Sequence, residues 1–298
     1  MSEARTYGYY PGCSGMGTSM EYERSTRAVC EALGIKLVEL EDWSCCGSTP
    51  AHTVDHVLSA ALSGRNLSIA ESMGLDTVIT PCPSCLTNLK TATHRMENPE
   101  FRSKVDKLLD KPAPGGVAVK SVLQVIFEDV GPDAIREKVV RPLDGLALAP
   151  YYGCLMNRPP EVMQFDDPEN PTSMDEILKA LGADVVPYGL KVECCGASHG
   201  IAQKDVVTTL SGRLLDLAYA EHAVAMVTAC PLCQMNLDLR QGQINSANKT
   251  NYKMPIFYYT QLLGIALGLP EKELGFDKLA VNPAPVLKAI QEPSHAAS

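Results

Sequence analysis

Hydrophobic and polar positions along the chain form short apolar runs separated by longer stretches of helical period, and the whole order occurs twice. Residues 7–10 read as a short aromatic strand ending at Pro11-Gly12-Cys13, and residues 146–152 as its partner, ending at Gly153-Cys154. β-Type residues closed by a glycine turn suit a strand that delivers a cysteine at its C-terminal end. Helical spacing follows over residues 19–33, with Ser19 placed to cap it and Gly34 just past its end. Residues 35–40 and 185–188 are the next strands, each leading to Cys-Cys-Gly. A long helix is expected over residues 54–73, closed by Gly74, with residues 206–222 as its counterpart. Residues 77–80 and 225–228 are apolar strands that run straight into Cys-x-x-Cys, where further helices begin. Residues 120–130 have the period of a helix. This alternation predicts an α/β fold of mainly parallel sheets flanked by helices. Open parallel sheets hold ligands at strand C-terminal ends, which is where these cysteines fall.

The repeat keeps a fixed spacing. Ala32-Leu33-Gly34 recurs as Ala180-Leu181-Gly182, Ser63-Gly64-Arg65 as Ser211-Gly212-Arg213, and Cys82-Pro83-Ser84-Cys85 as Cys230-Pro231-Leu232-Cys233, all offset by 148 residues. The double cysteines are offset by 149 and the lone cysteines by 141, so the second half carries extra residues, mostly a Pro- and Asp-rich loop near 164–172. Such regularity marks a duplication. Two pseudo-twofold-related domains are expected, residues 1–142 and 143–298, divided near Leu143 after the turn-rich stretch 111–116. The tail beyond Asn282, rich in Pro, Ala and Ser, is expected to be loosely ordered.

Composition narrows the chemistry. A hydrophobic share of 45% in 298 residues fills a core, and with one Trp and five Phe that core must be largely aliphatic. The net charge of −9 argues against nucleic acid or an anionic membrane as partner. No apolar run reaches the length of a membrane span, and the N-terminus has no apolar signal core. The expectation is therefore a cytoplasmic protein without direct membrane insertion. In a reducing compartment, clustered cysteines read as metal ligands before they read as disulfides.

Ten of the 11 cysteines form two matching sets: Cys13, Cys45, Cys46, Cys82 and Cys85, then Cys154, Cys194, Cys195, Cys230 and Cys233. Thiolate sulfur suits zinc or iron–sulfur clusters, and a helix N-terminus at Cys-x-x-Cys favours the ionised thiol. A cubic four-iron cluster needs four cysteines, whereas each set has five. Spacing alone leaves iron and zinc open. Cys30, among Ala28, Val29 and Leu33, reads as a small buried hydrophobe.

The pattern Cys-x31-Cys-Cys-x35-Cys-x-x-Cys, followed by Cys-x39-Cys-Cys-x34-Cys-x-x-Cys, resembles the duplicated cysteine-rich CCG domain of the HdrB family of heterodisulfide reductase subunits. The resemblance covers nearly the whole chain and no ligand position is missing. It implies two noncubane [4Fe-4S] clusters, each held by one set of five cysteines, with an extra thiolate bridging irons. It further implies two-electron reduction of a disulfide lying between the clusters, or the reverse oxidation of a thiol or persulfide, on a substrate that is small or protein-bound. The implied partners are a small iron–sulfur subunit that delivers electrons and a flavin subunit. CCG domains also resemble parts of subunits that pass electrons from dehydrogenases to quinone or another carrier, which is the alternative. A structural zinc scaffold would explain the cysteine sets but not the fifth member of each.

Other residues are candidates of a second order. His52 and His199 follow the two Cys-Cys-Gly motifs and suit a proton donor to a departing thiolate, or a loop histidine bonded to backbone. Arg65 and Arg213 share a repeat position and suit an anionic substrate group or a structural pair. Asn88 and Asn236 suit a turn or a cluster sulfur, and Lys90, His94 and Arg95 read as a solvated helix face. Tyr9, Tyr10, Tyr151 and Tyr152 precede the lone cysteines and read as packing. Gly12, Gly47, Gly153 and Gly196 would let the backbone approach a bulky group.

Overall fold

The computed structural model describes residues 5–48 and 50–291. The first half forms a parallel sheet of β1 (Arg5–Tyr9), β2 (Ile35–Glu39), β3 (Thr77–Thr80) and β4 (Ala118–Ser121) in the order β2-β1-β3-β4. The second half repeats it with β5 (Ala147–Tyr151), β6 (Asp184–Val185), β7 (Ala225–Thr228) and β8 (Ile256–Tyr258), ordered β6-β5-β7-β8 and again parallel throughout. Helices flank both sheets, as the alternation of elements requires. The central strands are buried along most of their length, which is why they read as continuous apolar runs rather than alternating ones.

Several boundaries differ from expectation. The stretch 120–130 is not helical from its start: Ala118–Ser121 is the fourth strand, paired with β3, and the helix begins at Val122 with the Ser121 hydroxyl accepting from Gln124 N–H. The helix expected over residues 54–73 is His56–Ser72, preceded by a separate short helix Pro50–Val54, because Asp55 is extended and its carboxylate caps Val57 and Leu58. Ser19 precedes Met20–Ala32 but makes no capping bond with its side chain. The tail is not loose directly beyond Asn282, since Ala284–Gln291 is a helix that buries Val286, Leu287 and Ile290; residues 292–298 lie outside the described residues.

The two halves meet over a continuous hydrophobic core. Helix Met20–Ala32 packs on Tyr259–Ala266 of the second half. There Tyr22 stacks on Tyr258 at 4.0 Å between ring centroids, and its hydroxyl donates to Ala229 O at 3.2 Å. On the other side the Thr87 hydroxyl donates to Leu155 O at 3.1 Å, and Lys90 Nζ bonds Met163 O. The first half thus touches the second beside two of its cysteines, Cys230 and Cys154.

Candidate metal centres and the cleft between the halves

Three loops at the C-terminal edge of each sheet deliver its cysteines. Cys13 follows β1, Cys45 and Cys46 follow β2, and Cys82 and Cys85 follow β3. In the second half Cys154, the pair Cys194 and Cys195, and the pair Cys230 and Cys233 follow β5, β6 and β7. Cys82 and Cys230 stand at the N-caps of helices Pro83–Arg95 and Pro231–Leu237, so Cys85 and Cys233 occupy first turns, where the helix dipole favours a thiolate. Both sets share one gradient of exposure. Cys46, Cys82 and Cys85 are buried, as are Cys195, Cys230 and Cys233. Cys13, Cys45 and Cys194 are exposed, and Cys154 is half-buried.

The polar scaffold is duplicated with the sulfurs. The hydroxyls of Ser63 and Ser211 donate to the carbonyls of Cys46 and Cys195, both at 3.0 Å. The amides of Asn88 and Asn236 reach the same two carbonyls at 2.9 and 3.5 Å, and Asn236 also stands 3.5 Å from Cys195 Sγ. The hydroxyls of Thr80 and Thr228 accept from Cys82 and Cys230 N–H at 3.4 and 3.3 Å. Gly47 and Gly196 N–H point at Cys45 and Cys194 Sγ, at 3.4 and 3.2 Å.

Contacts between sulfurs divide the thiols into donors and acceptors. Cys46 is lowered to about 3, chiefly by hydrogen bonds from Cys45 and Cys85. Cys194 is lowered to about 5, chiefly by a hydrogen bond from Cys154. Cys82 and Cys195 are lowered by bonds from Cys85 and Cys233, the latter 3.6 Å from Cys195. Those same bonds raise Cys45, Cys85, Cys154 and Cys233. Cys30 belongs to neither set; burial pushes its thiol up to about 12, as suits a core residue.

A Cβ on Gly12 would lie 3.0 Å from Cys85 Sγ, and one on Gly153 only 2.9 Å from Cys233 Sγ. Both residues have positive φ, +69 and +75, so the loops cross the sulfurs where only glycine fits. The soft sulfurs of each set, with bare glycine backbone against Cys85 and Cys233, fit an iron–sulfur group.

A cavity of about 450 Å³ opens between the halves. The second half gives it Cys154, Cys194 and His199, and the first half gives His52, His56 and Arg95. Cys13 and Cys45 are not part of its wall, although Ser48 and Ser84, beside the first set, are. No Asp or Glu is among the described residues that line it, despite the acidic whole.

The structure therefore brings His52 and His199 together in one cleft; both are exposed, and the charge of His199 helps lower Cys194. It does not bring Arg65 or Arg213 there. Arg65 pairs with Asp42 on the outer face of His56–Ser72, and Arg213 is exposed on Lys204–Ala220. Sequence reasoning missed His56, and it read Arg95 as part of a solvated face, whereas Arg95 is half-buried in the cleft wall. Nothing local marks Arg95, because the opposite wall comes from the other half of the chain.

Two stretches, residues 7–90 and 148–238, match the family model of the cysteine-rich domain CCG. The 8-methylmenaquinol:fumarate reductase membrane anchor subunit of Wolinella succinogenes is 35% identical over 93% of this chain and 98% of its own length. An HdrB-like heterodisulfide reductase protein of Archaeoglobus profundus is 32% identical over 96% of this chain and 98% of its own. The HdrB component of the ferredoxin/F(420)H(2)-dependent CoB-CoM heterodisulfide reductase of Methanosarcina acetivorans is 30% identical over 95% and 96%. Among solved structures, a hypothetical protein from Helicobacter pylori shares the fold with a TM-score of 0.74 at 13% identity, over 93% of this chain. This chain spans 52% of that one.

Proposed function

Because the chain belongs to the family of duplicated CCG cysteine-rich proteins that includes the HdrB components of heterodisulfide reductases, we propose that it is the disulfide-handling iron–sulfur subunit of a heterodisulfide reductase-like complex. In this reading Cys13, Cys45, Cys46, Cys82 and Cys85 hold one noncubane [4Fe-4S] cluster, and Cys154, Cys194, Cys195, Cys230 and Cys233 hold the other. The observation that carries it is the repeated set of five sulfurs, three buried and two accessible, at equivalent strand ends.

The reaction is two-electron reduction of a disulfide: the S–S bond breaks, two electrons and two protons are taken up, and two thiols leave. The reverse direction oxidises thiols. The electrons come from, or return to, a small iron–sulfur subunit that is itself served by a flavin subunit. When bound, the two clusters supply the chemistry of passing one electron each. The chain's own residues do the rest. The cleft between the halves admits the substrate beside Cys154 and Cys194. His52, His56 and His199 line that cleft and suit the role of proton donor to a departing thiolate. Arg95, in a wall without carboxylates, attracts an anionic part of the substrate. Ten cysteines kept as thiolate ligands and one as a core thiol suit a reducing cytoplasm. No helix among the described residues is long and apolar enough to cross a membrane.

A second reading has its own support: electron exchange with a quinol. The Wolinella relative is named for a menaquinol reaction and as a membrane anchor. Moreover Val54 and Ile201, two of the most exposed large hydrophobic side chains at 81% and 91%, follow the cleft residues Thr53 and His199 by one and two positions. Turnover with a quinol and none with any thiol or disulfide would select this reading.

The deciding experiment is iron, acid-labile sulfide and zinc per chain on protein purified without air, with EPR after oxidation in the presence of a thiol. About eight irons and a thiol-dependent signal are expected. About four irons plus zinc would mean one catalytic and one structural half. Zinc alone would overturn the proposal.

A further inference from the structure

Tyr10 and Tyr151 occupy one repeat position, three residues before the lone cysteine of each set. Both are fully buried. Each hydroxyl donates to the carbonyl of the residue just before Cys-Cys-Gly: Tyr10 to Ser44 O and Tyr151 to Glu193 O, both at 2.7 Å. That bond ties each phenol to its loop, and Tyr10 also lies close enough to Cys46 to help lower its thiol. The ring then lies against the sulfurs, with the Tyr151 oxygen 3.9 Å from Cys233 Sγ. The same bond, at the same length, has been kept on both sides of a duplication whose sequences otherwise differ at most positions.

We infer that Tyr10 and Tyr151 are positioning residues that set the height of the Cys-Cys pair over the buried Cys-x-x-Cys, and that the second half depends on its tyrosine more than the first. The asymmetry comes from a third residue. In the first half Asn66 brackets Ser44, accepting from its N–H at 2.9 Å and donating to its carbonyl at 3.0 Å. The equivalent position in the second half is Leu214, which has no side-chain hydrogen bond to give. Ser44 is held three ways, and the Glu193 carbonyl accepts from Tyr151 alone among side chains of the described residues. The bearing on the clusters rests on the ligand assignment proposed above; the bearing on the loops does not.

The test uses Tyr10→Phe, Tyr151→Phe and the double variant Tyr10→Phe with Asn66→Leu, which gives the first half the second half's residue. In iron-free protein the alkylation rate at Cys194 should rise about fivefold in Tyr151→Phe, the worth of one net hydrogen bond. At Cys45 it should change less than twofold in Tyr10→Phe and about fivefold in the double variant. Circular dichroism identifies any variant that fails to fold, and the double variant then carries the comparison. In the loaded protein, Tyr151→Phe should keep its iron but shift the reduction potential or EPR spectrum of one cluster, while Tyr10→Phe shifts less. Unchanged alkylation in all three variants, or equal effects of the two single ones, would overturn the inference. A wild-type protein without iron would sink the cluster assignment and leave the alkylation result standing.

Discussion

The loops that lead into the two Cys-Cys-Gly motifs solve one problem in opposite ways. Three residues before the first double cysteine is Asp42, with positive φ and a side chain 88% exposed, paired with Arg65 on the surface. The same place before the second is Lys191, whose side chain is only 11% exposed and pairs with Asp175 at 8%. Lys191 also donates to Pro171 O at 3.0 Å, and its carbonyl accepts from Tyr152 and Gly153 N–H at 2.9 and 3.0 Å. Tyr152 completes the cluster by donating to Asp175 at 2.7 Å. The extra residues of the second half end in this clamp. They bury the anchor three residues before the double cysteine, which is exposed in the first repeat, whereas at the residue just before the double cysteine it is the first repeat, at Ser44, that has the more side-chain bonds. Only the clamped half presents its accessible sulfurs, Cys154 and Cys194, to the cavity between the repeats. Duplication thus kept the sulfurs and changed the mounting.

The largest test of that comparison is to remove one buried sulfur from each half. Cys82→Ser and Cys230→Ser should each reduce iron from about eight to about four per chain. Loss of all iron from either variant would show that the halves are not independent holders. Next, Lys191→Met leaves Asp175 buried and unpaired, and denaturant unfolding should show a loss of about 3–5 kcal/mol. Asp42→Ala, at the matching position, breaks only an exposed pair and should cost about 0–1 kcal/mol. Equal losses would erase the distinction between the two mountings. A smaller effect is expected at the cleft wall. Arg95→Ala should lower kcat/KM for an anionic disulfide about tenfold, the lower end for a lost charged hydrogen bond, with iron unchanged. A neutral disulfide should be turned over as before, and an equal fall for both would remove Arg95 from substrate recognition. The smallest effect belongs to Arg213→Ala, which should stay within about 0.5 kcal/mol in stability and leave turnover unaltered.

Much of this protein is legible along the chain. The two sets of five cysteines, their placement after strands, the glycines that pass over them and the helices opening at Cys-x-x-Cys all follow from short-range pattern repeated at a near-constant offset. The fourth strands are harder to read. Ala118–Ser121 and Ile256–Tyr258 are only four and three residues long and run directly into helices, so neither strand period nor a turn separates them. The helix Ala284–Gln291 is hidden by its Pro and Ala content and holds its place by burying three apolar side chains.

What the sequence determined by itself is the two sets of five cysteines and their duplication, because motif spacing and element period are properties of residues close together in the chain. Only the tertiary structure decided which sulfurs are accessible, which two of them meet the cleft, and that Arg95 and His56 of one half face Cys154 and Cys194 of the other. Those relations join residues some 60 to 140 positions apart, across an interface whose geometry depends on packing such as that of Tyr22 on Tyr258. No local pattern encodes contacts of that kind. They arise when two hydrophobic faces bury each other, and that burial decides which polar groups are left to line the gap.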